Sequence, residues 1–296
     1  MNTTLNFVRG FAWFLGALFA VAFLYPSAEA QVVQSAAGNA AAVTVARDLF
    51  RVDLGGGTVA GGAGLFGGVR REINWDGVPD GSSAPNNLPA DFFNVNSPRG
   101  VVFSTPGTGF QVSANAGVAP IEFDNIDPSY SGDFAPFSAQ RLFTALGSNI
   151  TDVNFFVPGT NVPSLTRGFG VVFSDVDVSD LTTIQLFDAA DVSLGTFAAP
   201  SASGSELFSF LGISFPDAVI SRARITSGNA ALAAGLADNQ GDPNDLVVMD
   251  DFIFGNPVPE PATVSLAAIG TLALLRFARQ RRRLSTRAEN LAKCQS

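Results

Sequence analysis

The stretch Phe169-Gly170-Val171-Val172-Phe173 decides the fold class. Phe169, Val171 and Phe173 fall on alternate positions, as the side chains of a half-buried β-strand must. Working outward, residues 100–104, 109–114, 121–123, 152–157, 182–188, 193–198, 206–213, 218–226 and 246–254 read as further short strands. Gly, Pro, Asn and Asp fill the gaps between them, which is the chemistry of turns. Strands this short and this regularly spaced predict a mainly β chain: a β-sandwich, jelly-roll-like, with a short N-terminal helix.

The helix is expected over residues 36–54. Val43, Arg47 and Phe50 have helical spacing, and Gly55 is a natural stop. The next segment, 55–68, holds 8 Gly in 14 residues and reads as Gly-rich turns or loop. Its Gly62-Ala63-Gly64-Leu65-Phe66-Gly67 formally matches a dinucleotide fingerprint. No clear strand precedes it and no helix follows, so nucleotide binding is not expected. Residues 69–98 read as loop-rich, with a short helix at 90–93, and residues 230–237 as a helical turn or an Ala-rich loop.

Composition narrows the chemistry. The chain has no His, and its single Cys is Cys294 near the C-terminus. Ser-His-Asp triads, His-based general bases and the usual zinc sites are thereby excluded. Residues 31–257 carry 9 Arg, no Lys and 23 acidic groups, a net charge of −14, whereas the whole chain carries −9. Such an acidic domain repels nucleic acid and attracts divalent cations. The chain has 27 Phe but only two Trp and two Tyr. Phe at this density is core material, and the scarcity of Trp and Tyr speaks against a sugar-stacking surface.

Two acidic clusters are candidate cation sites. One is Asp175-Val176-Asp177-Val178-Ser179-Asp180. The other comprises Asp238, Asn239, Asp242, Asn244 and Asp245, followed by Asp250 and Asp251. Loops of Asp, Asn and Gly supply the hard oxygens that calcium prefers, so calcium is the candidate cofactor. The competing reading is that these residues cap turns. Glu72, Asp76 and Asp80, near Trp75, are the candidates for a carboxylate-based glycan hydrolase, but no motif fixes a pair among them. Arg70, Arg71, Glu72 and Arg99 are expected to form ion pairs that pin the Gly-rich loop. No Gly-x-Ser-x-Gly elbow is present, and no catalytic residue is assigned.

The ends of the chain carry a different message. Residues 10–24 are apolar and follow Arg9; Pro26 comes next, and Ala28-Glu29-Ala30 fits the small-x-small pattern of signal-peptide cleavage. Residues 1–30 are therefore expected to be a secretory signal peptide, cut after Ala30. Near the other end, Val258-Pro259-Glu260-Pro261 precedes an apolar run from Ala262 to Leu275, then Arg276, Arg279, Arg281, Arg282 and Arg283. Fourteen apolar residues span about 21 Å as a helix, against a bilayer core of about 30 Å. The run suits a transient stop better than a permanent anchor, with the arginines on the cytoplasmic side.

This order of Pro-Glu-Pro, short apolar helix and Arg cluster, behind an N-terminal signal peptide, resembles the PEP-CTERM sorting signal of Gram-negative bacteria. The resemblance covers residues 258–283, with a membrane helix at about 262–278 and a cytoplasmic tail at 284–296. That tail is longer than the family's usual ending. The resemblance implies export through the secretion translocon, an inner-membrane intermediate and recognition by exosortase. It further implies delivery to the cell surface or extracellular matrix, in association with exopolysaccharide and biofilm. The organisation expected is therefore signal peptide 1–30, helix and Gly-rich segment 31–68, β-sandwich domain 69–257, and sorting signal and tail. The mature domain is expected to be non-enzymatic, with a structural or adhesive role. A calcium-dependent carbohydrate-binding module and a glycan hydrolase are the alternatives.

Overall fold

The computed structural model describes residues 31–59, 68–238 and 243–260. They are mainly β, in antiparallel sheets, with one helix of any length. In chain order the elements are β1 (Val32–Gly38), α1 (Ala40–Asp53), β2 (Arg70–Ile73), α2 (Phe92–Val95), β3 (Val101–Ser104), β4 (Gly109–Val112) and β5 (Phe143–Leu146). There follow β6 (Ile150–Phe155), β7 (Ser164–Leu165), β8 (Gly168–Ser174), β9 (Thr183–Phe187) and β10 (Ser193–Ala198). β11 (Phe208–Ser214), β12 (Arg222–Thr226), β13 (Val248–Gly255) and β14 (Val258–Pro259) complete the set. One sheet has seven strands, ordered β1-β11-β8-β13-β5-β4 with β2 also paired to β13; a second has the order β10-β9-β12-β6-β3. β14 pairs only with β7.

One core joins the two larger sheets. Phe169, Val171, Phe173, Phe252 and Phe254 from the first meet Phe103, Val153, Phe155, Ile184, Leu186 and Ile225 from the second. Alternation survives in β8, but the strand is buried along its whole length rather than half-buried. Its outward side chain, Val172, packs with Val43, Ala46, Phe50 and Leu54 of the α1 segment instead of meeting water. Gly170 and Gly212, neighbours across β8 and β11, make room for this helix. A Cβ on either would come within 2.8 Å and 2.7 Å of the Phe50 ring. Asn39 caps α1 by accepting a hydrogen bond from the Ala42 N–H, and Gly55 follows its end at φ +84°.

The structure corrects three local expectations. Helix was expected from residue 36, but residues through Gly38 form the edge strand β1, paired residue for residue with β11. Pairing with a distant strand overrode the helical preference of an Ala-rich run. Residues 121–123, expected as a strand, form a 3₁₀ turn with Glu122 at φ 45°. Four further strands were not expected: the charged β2, which pairs with β13, β5, which pairs with β4, and the two-residue β7 and β14, which pair with each other. Residues 230–237 take the loop reading, and Tyr130 Oη lies 3.0 and 2.9 Å from the Ala233 and Leu236 carbonyl oxygens there.

Candidate functional site

The chain's two acidic clusters, far apart in sequence, meet. Asp245 Oδ1 accepts hydrogen bonds from the Asp177 and Val178 N–H groups at 2.9 and 3.3 Å. Asp177 Oδ1 in turn accepts from Gly204 N–H. Asp238 Oδ2 accepts from Leu246 N–H, next to Asp245. A third segment approaches from residues 133–135: Ala135 N–H donates to Ser174 Oγ, beside Asp175, at 3.1 Å. Asp133, Asp175, Asp177, Asp238 and Asp245 thus gather at one end of β8. Gly228 backs this site, because a Cβ there would lie 1.8 Å from the Asp245 carbonyl oxygen.

Several of these carboxylates are short of partners. Asp175 and Asp245 are 2% and 0% exposed. Asp175 Oδ1, Asp245 Oδ2 and Asp133 Oδ2 meet no hydrogen-bond donor among the described residues. Burial pushes the Asp175 carboxyl up to about 8, and the charges of Asp177, Asp238, Asp133 and Asp245 add to the effect. Asp238 is pushed up to about 6, again first by burial, against the lowering effect of its bond from Leu246. Asp245 and Asp133 are raised by the same cause. Asn244 is half-buried, while Asn239 and Asp242 lie outside the described residues. Among the described residues no three acidic, His or Cys side chains stand ready as a metal cage.

Asp250 and Asp251 do not join this site. Asp250 is fully buried, and its carboxylate accepts from Phe137 N–H, Ser138 N–H and Ser138 Oγ. Burial, then the charge of Asp251, raises its pKa well above the ordinary value. Asp251 looks toward α1, where Arg47 lies 3.5 Å away. A register shift in β13 between Met249 and Phe252 accompanies this pair.

The hydrolase candidates are each engaged separately. Glu72 receives Arg51 at 2.8 Å and Arg70 at 2.6 Å, with both guanidiniums buried. Asp80 is exposed and pairs with Arg141. Burial raises the Asp76 carboxyl. Trp75 is 1% exposed and stacks on Phe143, so its ring is a core element rather than a sugar platform. Of the arginines expected to pin the Gly-rich segment, Arg70 donates to the Gly57 and Val59 carbonyls, and Arg51, outside that expectation, donates to the Thr58 carbonyl; residues 60–67 lie outside the described residues. Arg71 instead holds Asn256, at the exit of β13. Arg99 lies over the Phe93 ring at 5.1 Å.

Glu122 lies within reach of the charge of a second acid, Glu206. Burial first, then the Glu206 charge, pushes the Glu122 carboxyl up to about 7 from an ordinary 4.5. The folded chain therefore keeps a proton that the unfolded chain has released. The contribution is full below about pH 4.5 and is lost as the pH rises to about 7. Glu122 is half-buried, so solvent screening reduces the effect. Glu122→Gln is expected to flatten this part of the profile. Urea midpoints from pH 4 to 8 check it, and a slope equal to the parent's would count against it.

Neither family models nor curated proteins match this chain. Among solved structures, it is similar at 13% identity and a TM-score of 0.22 to the enzymatically active domain of bacteriophage CBA120 tailspike protein 4. The match covers 57% of this chain and 20% of that one.

Proposed function

We propose that this is an exported protein of the cell surface or extracellular matrix, sorted and processed through its C-terminal signal. Its two large sheets form a jelly-roll-like sandwich with a structural or adhesive, non-catalytic role in exopolysaccharide. The observation that carries this reading is the ordered pair of terminal signals. The last described residues are held to the domain. β13 ends at Gly255, Asn256 is held by Arg71 and by the Val69 carbonyl, and Val258–Pro259 lies antiparallel to Ser164–Leu165. Val258 and Pro259, which open the Pro-Glu-Pro stretch, are the last paired strand residues among those described. Pro261, the apolar run and the arginines lie outside the described residues, as do residues 1–30. Among the described residues no helix is long and apolar enough to cross a membrane.

The partners in this reading are the secretion translocon, exosortase and exopolysaccharide. Contact with the membrane is confined to the C-terminal helix before processing. Replacement of Glu260 or Pro261 is expected to leave a membrane-retained, full-length form. Immunoblots of membrane and secreted fractions check it. Variants released and trimmed as efficiently as the parent would overturn the sorting reading.

A further inference from the structure

We propose that Asp175 and Asp245 hold a divalent cation, calcium by preference, between the loops that carry Asp133, Asp177 and Asp238. Three observations point to it. First, the site is assembled from chain segments far apart in sequence, joined by hydrogen bonds from Val178 and Asp177 to Asp245 and from Ala135 to Ser174. These bonds fix where the acids stand. Second, both proposed ligands are at least nine-tenths buried, and each has one carboxylate oxygen that no donor reaches among the described residues. A buried, unpartnered carboxylate oxygen is costly, and such atoms need an explanation. Third, the charges acting on Asp175 are those of Asp177, Asp238, Asp133 and Asp245, all acidic. Those acting on Asp238 and Asp245 are acidic too. The charge to be balanced is therefore negative and concentrated.

The same geometry limits the kind of site. Among the described residues no three carboxylates are already arranged around one point. The ion is therefore held by two carboxylates and keeps part of its water shell, with the other three acids supplying field rather than bonds. Calcium tolerates such irregular, partly hydrated oxygen sets better than magnesium, which demands a tight octahedron. Few protein ligands mean weak binding, with Kd on the order of 10⁻⁴–10⁻³ M, as in extracellular calcium modules. The ligand set differs from the one expected along the sequence. It takes Asp175 from the first cluster and Asp245 from the second. The inference stands whether or not the chain is exported.

Calorimetric titration of the full-length chain with CaCl₂ and MgCl₂ tests this directly, alongside thermal melting in chelator, Ca²⁺ and Mg²⁺. At 10 mM calcium the melting midpoint is expected to rise by roughly 5 °C, and by less with magnesium. Asp245→Asn and Asp175→Asn are each expected to weaken calcium binding at least tenfold. Asp180→Asn, on the same loop but outside the ligand set, is expected to leave binding unchanged. No calcium heat and no shift in the midpoint of the parent chain would overturn the proposal. So would a calcium response that survives in both Asn variants. A midpoint that rises on acidification to pH 5 but ignores calcium would also overturn it, because protons alone would then neutralise the cluster.

Discussion

Replacing Trp75 with alanine is expected to destabilise the domain by about 3–5 kcal/mol, the usual cost of truncating a large buried aromatic. The indole stacks on Phe143 at 4.1 Å and 3°, and meets Phe93 and Phe252 edge-on at 5.4 and 5.1 Å. Its Nε1–H donates to the Asp250 carbonyl at 2.8 Å. Alanine removes the rings' common neighbour and leaves that carbonyl without this donor. Phenylalanine should cost less, because it keeps most of the apolar contact and loses only the donor and some volume. Trp75 also sits at φ 65°, so part of its energy goes into holding a strained backbone. Urea unfolding of the full chain measures the difference. A loss under about 1.5 kcal/mol for Trp75→Ala would mean that the cluster collapses around the gap, contrary to the tight packing described.

Glu72→Ala is expected to cost about 3 kcal/mol or more, since removing one partner of a buried ion pair strands the other. Arg51 and Arg70 are 2% and 0% exposed, and both lose a carboxylate in this variant. Arg51 keeps Asp48 at 2.8 Å, so the low end of the range applies. The effect should be local as well as global. Because the same guanidiniums hold the carbonyls of Gly57, Thr58 and Val59, proteolysis near Val59 should quicken before the domain unfolds. Glu72→Gln retains one acceptor oxygen and should fall between parent and alanine. Stability and proteolysis both at parental levels for Glu72→Ala would show that the arginines find other partners.

The two variants probe parts of the molecule that differ in how they could be read. Trp75 sits in a segment read as loop, and nothing local distinguishes its ring from an exposed sugar-binding one. It is buried because β5, β13 and α2 bring Phe143, Phe252 and Phe93 to it. The β2 strand was equally hidden. Arg70-Arg71-Glu72 has no apolar alternation, and charged residues are poor strand formers on their own. It pairs with β13 because Arg51, 21 positions before Glu72, supplies the buried counter-charge. That partner lies on α1, and no spacing rule connects them.

The sequence by itself determined what depends on near neighbours. Alternating apolar residues and turn formers located β3, β4, β6 and β8 to β13, with boundaries off by a few positions. Helical spacing and Gly55 located α1 apart from its start. Absence of His and of a Cys in the acidic domain removed whole classes of chemistry without reference to a fold. The tertiary structure alone decided what depends on distant pairing. It made residues 32–38 an edge strand, because β11 offered an open row of backbone partners. It buried the outer face of β8, because Phe50 packs over Gly170 and Gly212. It also set Asp175 beside the Asp245 loop and turned Asp250 and Asp251 away from both. Carboxylates repel wherever they stand in a list of residues. Backbone groups of the packed loops, the Asp177 and Val178 N–H donors to Asp245 among them, bring them together.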